Sequence, residues 1–495
     1  MYITPNTWRR ITRTSPLSRI LLTLIVGVGI IACNTTDSGM AAEQENRISE
    51  FDVGVKFFSA VEHLIYISID GLRPEFYLDR KLPAPMLQRM AAAGTHAKAV
   101  RGITPTVTYP SHTTLVTGAL PIQHGIFHNR PFEPEGQSGI WYMESAMIRV
   151  PALWDAVRAT GKSSAAISWP VSAGAPIDWN IPEYWSVKGI EGGLTGAEAH
   201  TAALRTQVRP KGLLEEIEKE SLGRFPDYYW GRNLSREDAV GSMASYLLGK
   251  YKPNLFLIHL NQTDYYQHAY GRDHPDVALA IQAVDRTVTR LVDVAERAGI
   301  LESTAFLIVG DHGFVDVDTK LAPNVWLVEL GLHEDRPDRG EWRAAFHPGG
   351  GSAFLYLRDD DDIEALEIVR EWLGGLPETT RALFRIVERE EIIAAGGDPA
   401  SILALAARPG VTITGDTRGP AVSEGSGGTH GYFPEFQEIH TGFIAWGAGI
   451  REGGVLKEIG LEDLAQVAAT LLELDFHSPA GKLPGGILVN AQEVM

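Results

Sequence analysis

Cysteine is nearly absent: the 495 residues contain one, Cys33. A single thiol excludes an intramolecular disulfide framework and any cysteine-based metal cluster. Positive charge is in the minority, with 44 Lys and Arg against 62 Asp and Glu. That balance argues against a general affinity for nucleic acid, so no nucleic-acid polymer is expected as a partner. No apolar run reaches the roughly 20 residues that a membrane-spanning helix needs. Internal repeats and low-complexity tracts are missing too. Apolar residues at 44% and charged residues at 21% are an ordinary globular balance, which argues against disorder and coiled coil. The length exceeds one typical domain and predicts one large α/β unit with an insertion, or two domains. The 51 glycines and 28 prolines predict long functional loops.

What is present begins with a leader. Residues 1–19 hold Arg9, Arg10, Arg13 and Arg19 and no acid, and Ile20 to Ala32 is an apolar run of 13 residues. A short apolar run behind a basic leader is the pattern of a signal peptide. The run ends Ile30-Ile31-Ala32-Cys33, which resembles the lipobox of bacterial lipoproteins. The resemblance implies cleavage before Cys33, acylation of that cysteine, and a lipid-anchored place in a bacterial cell envelope. The periplasmic side is expected, at the outer or the inner membrane. A plain signal peptide or an uncleaved anchor containing a cysteine is the alternative. Residues 33–60 are polar and mixed and read as a tether.

The body alternates strands and helices. Leu64 to Ile69, Asn254 to Leu260 and Thr304 to Val309 are continuous apolar strands, and Ser163 to Ser168 is a weaker one. Pro85 to Ala93 reads as a helix stopped by Gly94. Val277, Ile281, Val284, Val288, Leu291 and Ala295 repeat at three- and four-residue steps and mark a long amphipathic helix closed by Gly299. Thr441 to Trp446 is a late strand and Leu461 to Leu472 a late helix. Apolar strands separated by helices imply a mainly parallel sheet covered on both faces. Between residues 326 and 428 the pattern changes, with short strands at Ala353 to Leu357 and Phe384 to Val387 around a helix from Ile363 to Trp372. This stretch reads as an inserted α+β cap between core segments 61–325 and 429–495. The four acids Asp359 to Asp362 suit the capping of that helix better than a calcium site.

Carboxylates and histidines gather at predictable places. In open α/β sheets, ligands bind beyond the carboxyl ends of the strands. Three strong strands deliver an acid at or just past that end: Asp70, Asp264 and Asp311. Clustered carboxylates repel unless a cation holds them. Asp264 and His268 are four residues apart and share a face if helical. Asp311 and His312 are adjacent in a glycine-flanked turn, and His430 sits in Gly428-Thr429-His430-Gly431. Asp and His without Cys suit zinc, with manganese or iron as alternatives. A hydroxyl-rich segment, Thr104 to His112, precedes a helix read over Thr113 to Thr117. Hydroxyls at a helix N-terminus sit beside free N–H groups and a dipole that favours anions.

Five segments together resemble the alkaline phosphatase superfamily, specifically its nucleotide pyrophosphatase/phosphodiesterase branch: ISIDGLRPEF, TPTVTYPSHTTLVTGALPIQHGIFHN, TDYYQHAYG, VGDHGF and GGTHGY, in that order. The resemblance implies two zinc ions, one held by Asp264, His268 and His430 and the other by Asp70, Asp311 and His312. It implies Thr108 as the nucleophile touching the second ion, a phosphothreonine intermediate, and Asn129 as a phosphate-binding residue beside a backbone N–H near Tyr109. All seven metal-site positions are filled, which disfavours an inactive lipid-anchored binding module. A sulfatase is excluded, because Thr108-Tyr109-Pro110-Ser111-His112 lacks the required Cys or Ser and Arg.

The expected substrate is a small phosphodiester or nucleotide-like molecule. Monoesterases of the superfamily place a Lys and an Arg after the strand near Ser163. Here that stretch is Ser168-Trp169-Pro170-Val171-Ser172-Ala173-Gly174, with no cation. A phosphomonoesterase or a phosphonate hydrolase is the alternative, and Arg73, Arg101, Arg130 and Lys162 are the cations able to serve one. One position departs from the branch. Nucleotide-binding members hold the base between an aromatic after the nucleophile, here Tyr109, and a Tyr at the position that is His259 in this chain. Tyr109, His259, Trp169 and Asn129 are therefore the expected substrate contacts.

Overall fold

The computed structural model describes residues 61–136, 138–187 and 195–489. The leader at 1–32, Cys33 and the tether at 33–60 lie outside the described residues. No helix among the described residues is long and apolar enough to cross a membrane.

A nine-stranded sheet forms the centre. Its strands are β1 (His63–Ile69), β2 (Thr95–Arg101), β3 (Ser164–Ile167), β4 (Trp179–Ile181), β5 (Leu255–Leu260), β6 (Thr304–Val309), β7 (Thr441–Gly447), β8 (Gly454–Leu456) and β9 (Ile459–Gly460). Their order is β8-β2-β7-β6-β1-β5-β3-β4, with β9 also on β2. All neighbours pair parallel except β7, which runs against both β6 and β2. Every residue of β1, β5 and β6 is buried, as expected for strands covered on both faces. The mainly parallel α/β sheet is thus present, and the late strand supplies its one reversed member.

The helices follow from local signals. α1 (Pro85–Ala93) has Pro at its first position and is stopped at Gly94, where a Cβ would lie 2.1 Å from the Ala445 carbonyl oxygen. α2 (Thr108–Thr117) starts five residues before the expected helix and ends on left-handed Gly118. α3 (Ser235–Tyr251) and α4 (Gln262–Tyr270) flank β5. α5 (Pro275–Arg297) buries all six positions of the apolar stripe.

The stretch read in sequence as an insertion contains a four-stranded antiparallel sheet in the order Phe384–Glu388, Leu403–Ala407, Ser352–Leu357, Ala344–Pro348. Two of these strands match the sequence reading; Ala344–Pro348 and Leu403–Ala407 are additional. A helix, α6 (Ile363–Gly375), begins where Asp362 accepts from the Ala365 N–H at 3.0 Å and pairs with Arg343. The acid at that terminus is a cap. The core of this region also takes in Val315, Leu321, Tyr432 and Ile439 from outside 326–428.

Candidate active site

Three adjacent strands aim at one edge. β1 lies between β5 and β6, so Asp70 after β1, Asp264 in the first turn of α4 after β5, and Asp311 just past β6 emerge side by side. His268 is one turn along α4, with its Nε2 3.3 Å from Asp264 Oδ1. His430 comes from more than a hundred residues away in sequence. The two-residue strand Gly428–Thr429 pairs with Val315–Asp316, just after the Asp311-His312 turn. That pairing lays the His430 ring on the His312 ring, with centroids 3.6 Å apart.

The histidines are oriented by the backbone. Nδ1 of His268 donates to Gly428 O at 2.9 Å, Nδ1 of His430 to Thr106 O at 3.0 Å, and Nδ1 of His312 to Gly313 O at 3.1 Å. A carbonyl oxygen only accepts, so each ring carries a proton on Nδ1 and, when neutral, a lone pair on Nε2. Those Nε2 atoms point at carboxylates: His430 at Asp264 (3.6 Å), and His312 at Asp70 (3.3 Å) and Asp311 (3.2 Å). Lone pair facing carboxylate is repulsive unless a cation lies between. Asp70 Oδ1, Asp264 Oδ1 and Asp311 Oδ2 are buried without a hydrogen-bond partner. The donor set and its orphaned oxygens therefore fit metal ions.

Two groups could each hold a metal ion: Asp264, His268 and His430, and Asp70, Asp264 and His312, with the ligand atoms of each group within 4.8 Å of one another. Asp264 belongs to both, whereas the sequence reading gave it to the first group alone. Asp311 adjoins the second group, and its other oxygen accepts from the N–H groups of Gly71 and His312, each at 3.0 Å.

The electrostatics say the same. Burial, then the Asp311 and Asp264 carboxylates, push Asp70 well above the usual carboxylate range. Burial pushes Asp311 up to about 7. Burial, aided by His268, lowers His430 to about 4. Without a cation Asp70 and Asp311 are held partly neutral at a pH where exposed acids are ionised, whereas in Asp264 burial is outweighed by His268 and His430 and its carboxyl is lowered.

Thr108 is the first residue of α2 and is 8% exposed, with Oγ1 3.5 Å from His312 Nε2. The hydroxyl thus sits at the positive end of the helix and at the edge of the second group. Asn129 lies across from it and accepts the Tyr109 N–H through Oδ1 at 2.9 Å. This corrects one expectation: the Tyr109 N–H is engaged by Asn129 and is not a free donor for substrate.

The expected aromatic contacts also change. His259 is 0% exposed and is held by Asp70 Oδ2 (3.2 Å), Ser168 O (3.1 Å) and Glu183 (3.3 Å). Burial opposes a charge on this ring, but its bonds to Asp70 and Glu183 outweigh it and raise the pKa to about 10. His259 is therefore a buried support of Asp70, with no face open to a base. Trp169 is 0% exposed and packs on Tyr66 and the edge of His112. Tyr109 is buried under Trp141, with centroids 5.2 Å apart. All three were expected at the substrate because aromatic type, not burial, is visible in sequence.

A cavity of about 380 Å³ opens beside the first metal group, and its lining includes His268, His430, Asn129, Arg130, Trp141 and Arg339. Of the four cations singled out in sequence, Arg130 lines it. Arg73 is buried against Arg272 O and Asp273, and Arg101 pairs with Glu462. Sequence reasoning missed Trp141 and Arg339. Arg339 stands in the charged stretch His333 to Arg343, which carries no motif and reads as a solvated loop.

The model of the type I phosphodiesterase / nucleotide pyrophosphatase family matches residues 64–433. A venom phosphodiesterase of Crotalus durissus collilineatus is 25% identical over 256 residues, 51% of this chain and 26% of that protein. Ectonucleotide pyrophosphatase/phosphodiesterase family member 5 of Homo sapiens is 23% identical over 283 residues, 56% of this chain and 48% of that protein. The chain spans half or less of the length of these curated relatives. The structure of murine ectonucleotide pyrophosphatase/phosphodiesterase 5, an inactive variant in complex with AMP, has a TM-score of 0.58 at 21% identity, over 84% of this chain and 96% of that one. The likeness to that structure is one of fold.

Proposed function

We propose that the chain, which belongs to the type I phosphodiesterase / nucleotide pyrophosphatase family, hydrolyses small phosphodiesters or pyrophosphates through a covalent intermediate on Thr108. The observation that carries this reading is the Thr108 hydroxyl at the start of α2, 3.5 Å from His312 Nε2 and beside two Asp/His groups. An unassisted threonine is too weak an acid to attack at neutral pH. Two zinc ions, held by Asp264, His268 and His430 and by Asp70, Asp311 and His312, would lower the pKa of a hydroxyl and stabilise a departing alkoxide. Thr108 loses its proton, and Oγ1 bonds to phosphorus as the bond to the leaving oxygen breaks. Water then attacks the phosphothreonine, releasing the phosphate product and returning a proton to Oγ1. Asn129, with Oδ1 engaged by Tyr109, has its Nδ2–H groups left to donate to a non-bridging oxygen.

AMP in the murine relative, itself an inactive threonine-to-alanine variant, supports a nucleotide-like substrate. The cation-free stretch from Ser168 to Gly174 supports diesters. Arg130 in the cavity lining is the observation that favours the second reading, a phosphomonoesterase. The test is the rate of the zinc-loaded protein on bis-para-nitrophenyl phosphate against para-nitrophenyl phosphate. Diester preference by a large factor is expected; monoester preference overturns the diesterase reading.

The run Ile30-Ile31-Ala32-Cys33 behind its basic leader supports a second part of the proposal, a bacterial envelope protein tethered on the periplasmic side by lipid on Cys33. Labelled palmitate should be incorporated by the wild type and not by Cys33→Ser; equal labelling would refute the anchor.

A further inference from the structure

Four neighbouring strands of the central sheet, in the order β1-β5-β3-β4, end in a row of polar groups. Asp70 follows β1, His259 is the last residue but one of β5, Ser168 follows β3, and Glu183 lies just past β4. The ladders keep these ends level: Ser68 pairs with His259, and Ile167 pairs with both Ile258 and Ile181. The result is a continuous run of contacts behind the second metal group. Asp70 Oδ2 lies 3.2 Å from His259 Nε2, while Ser168 O and Glu183 Oε2 lie 3.1 and 3.3 Å from Nδ1. Glu183 Oε2 is buried and has no hydrogen bond of its own.

Donor and acceptor chemistry fixes what His259 does. A carbonyl oxygen only accepts, so Nδ1 carries a proton for Ser168. Ser168 itself has φ of +55°, left-handed backbone that a non-glycine residue adopts only under constraint. Its N–H on Ile181 O at 2.7 Å and the Arg236 guanidinium on its hydroxyl at 3.0 Å supply that constraint. Nε2 then meets an ionised Asp70 either as a lone pair, which repels, or as a second N–H, which donates. For His312 and His430 the same conflict points to a metal ion, but His259 belongs to neither candidate group. A second proton resolves it here, and Glu183 is the counter-charge on the far side of the ring. His259 thereby occupies Asp70 Oδ2. Oδ1, buried and without a hydrogen-bond partner, is the oxygen left to face His312, at 3.3 Å. We propose that Glu183 is a positioning residue for the second metal group: acting through His259, it holds Asp70 to a single ligand oxygen, Oδ1. This rests on the two-metal reading above. Groups behind a metal ligand set its orientation and basicity, and so the affinity of the ion.

The experiment titrates zinc into the chelated full chain by calorimetry, one group at a time. His268→Ala disables the first group and leaves the second; Asp70→Ala does the reverse. In the His268→Ala background, Glu183→Gln keeps the size of the side chain and removes its charge. It should weaken zinc binding roughly 10- to 100-fold. Glu183→Asp should recover part of that loss. In the Asp70→Ala background Glu183→Gln should leave zinc affinity unchanged. With both groups intact and zinc limiting, Glu183→Gln should lower kcat on a diester without raising KM, and excess zinc should restore it. Glu183→Ala is read in its place if Glu183→Gln does not fold. Unchanged zinc affinity of the second group overturns the proposal. Equal weakening in the two backgrounds, the mark of a merely structural role, overturns it too. A wild-type chain that binds fewer than two zinc ions overturns the two-metal reading, and this one with it.

Discussion

The backbone N–H of Tyr109 donates to Oδ1 of Asn129 at 2.9 Å, twenty residues along the chain. An N–H can meet only the oxygen of an amide, so this bond fixes which way the Asn129 side chain points. Its Nδ2 is left toward the phosphate site. Asn129→Ala should lower kcat by roughly 10²-fold, the scale of losing one preorganised donor. Asn129→Asp should do worse, by setting a charge against an anionic substrate. Steady-state kinetics on a diester check this; an unchanged kcat in Asn129→Ala would remove Asn129 from the machinery.

Thr108→Ala should abolish turnover and keep both metal ions. The six Asp and His side chains of the two groups are anchored by α4, by the Asp311 turn and by backbone carbonyls, none of which depends on the Thr108 hydroxyl. Metal content by elemental analysis beside turnover separates the two effects. Normal rates in this variant would refute the nucleophile assignment.

Removing metal should give the site's buried carboxyls a pH-dependent contribution to stability. In the metal-free fold Asp311 has a pKa of about 7 against an ordinary 3.8, and Asp70 is raised as well. Between those values the folded state holds protons that the unfolded chain has released. The contribution of Asp311 and Asp70 to the stability of the chelated protein therefore falls as pH rises from about 4 to about 7, against the opposite contribution of His430, which is held at about 4 below its ordinary 6.5, so the acids' share is read as the difference between the protein and its Asp311→Asn variant. Zinc, by holding the carboxylates ionised, should flatten that slope. Unfolding midpoints across this range, with and without chelator, test it; parallel curves would mean that these acids hold no cation.

Gly431→Ala should cost both metal and stability. Gly431 has φ of +82°, and a Cβ there would lie 1.5 Å from the Gly349 carbonyl oxygen. Relief requires the backbone to move, and the preceding residue is His430. Left-handed strain alone costs roughly 1–3 kcal/mol. The variant should bind about one ion fewer and melt earlier. Wild-type metal stoichiometry would show that the turn can yield without moving His430.

His259→Leu separates support from substrate contact. The ring joins Asp70 to Glu183 inside the core, and removing one partner from buried charges costs roughly 3–5 kcal/mol. A lower unfolding midpoint and weaker metal retention are expected. If instead KM for a nucleotide diester rises while the midpoint holds, His259 touches the substrate after all.

The legible parts share a physical signature. Leu64 to Ile69 and Thr304 to Val309 are unbroken apolar runs ending in glycine-flanked acids, so strand, edge and carboxylate can be read from local order. Leu403–Ala407 was invisible, because Leu and Ala favour helix. It is a strand only through its pairing with Ser352–Leu357 and Phe384–Glu388. The start of α2 at Thr108 was missed for a related reason: threonine, serine and proline are weak helix formers, and burial of the whole helix overrides them.

Local chemistry along the chain thus determined the α/β class, the three acids at the sheet edge and the pairing of Asp264 with His268 one turn on. Tertiary structure alone decided that His430 stacks on His312, that Asp264 lies within reach of both candidate groups, that Tyr109 engages Asn129, and that His259 and Trp169 are core while Arg130 and Arg339 line a cavity. The reason is that residue type and short-range periodicity are local properties, whereas burial and partnership depend on which distant segments the central sheet and the smaller antiparallel sheets bring together.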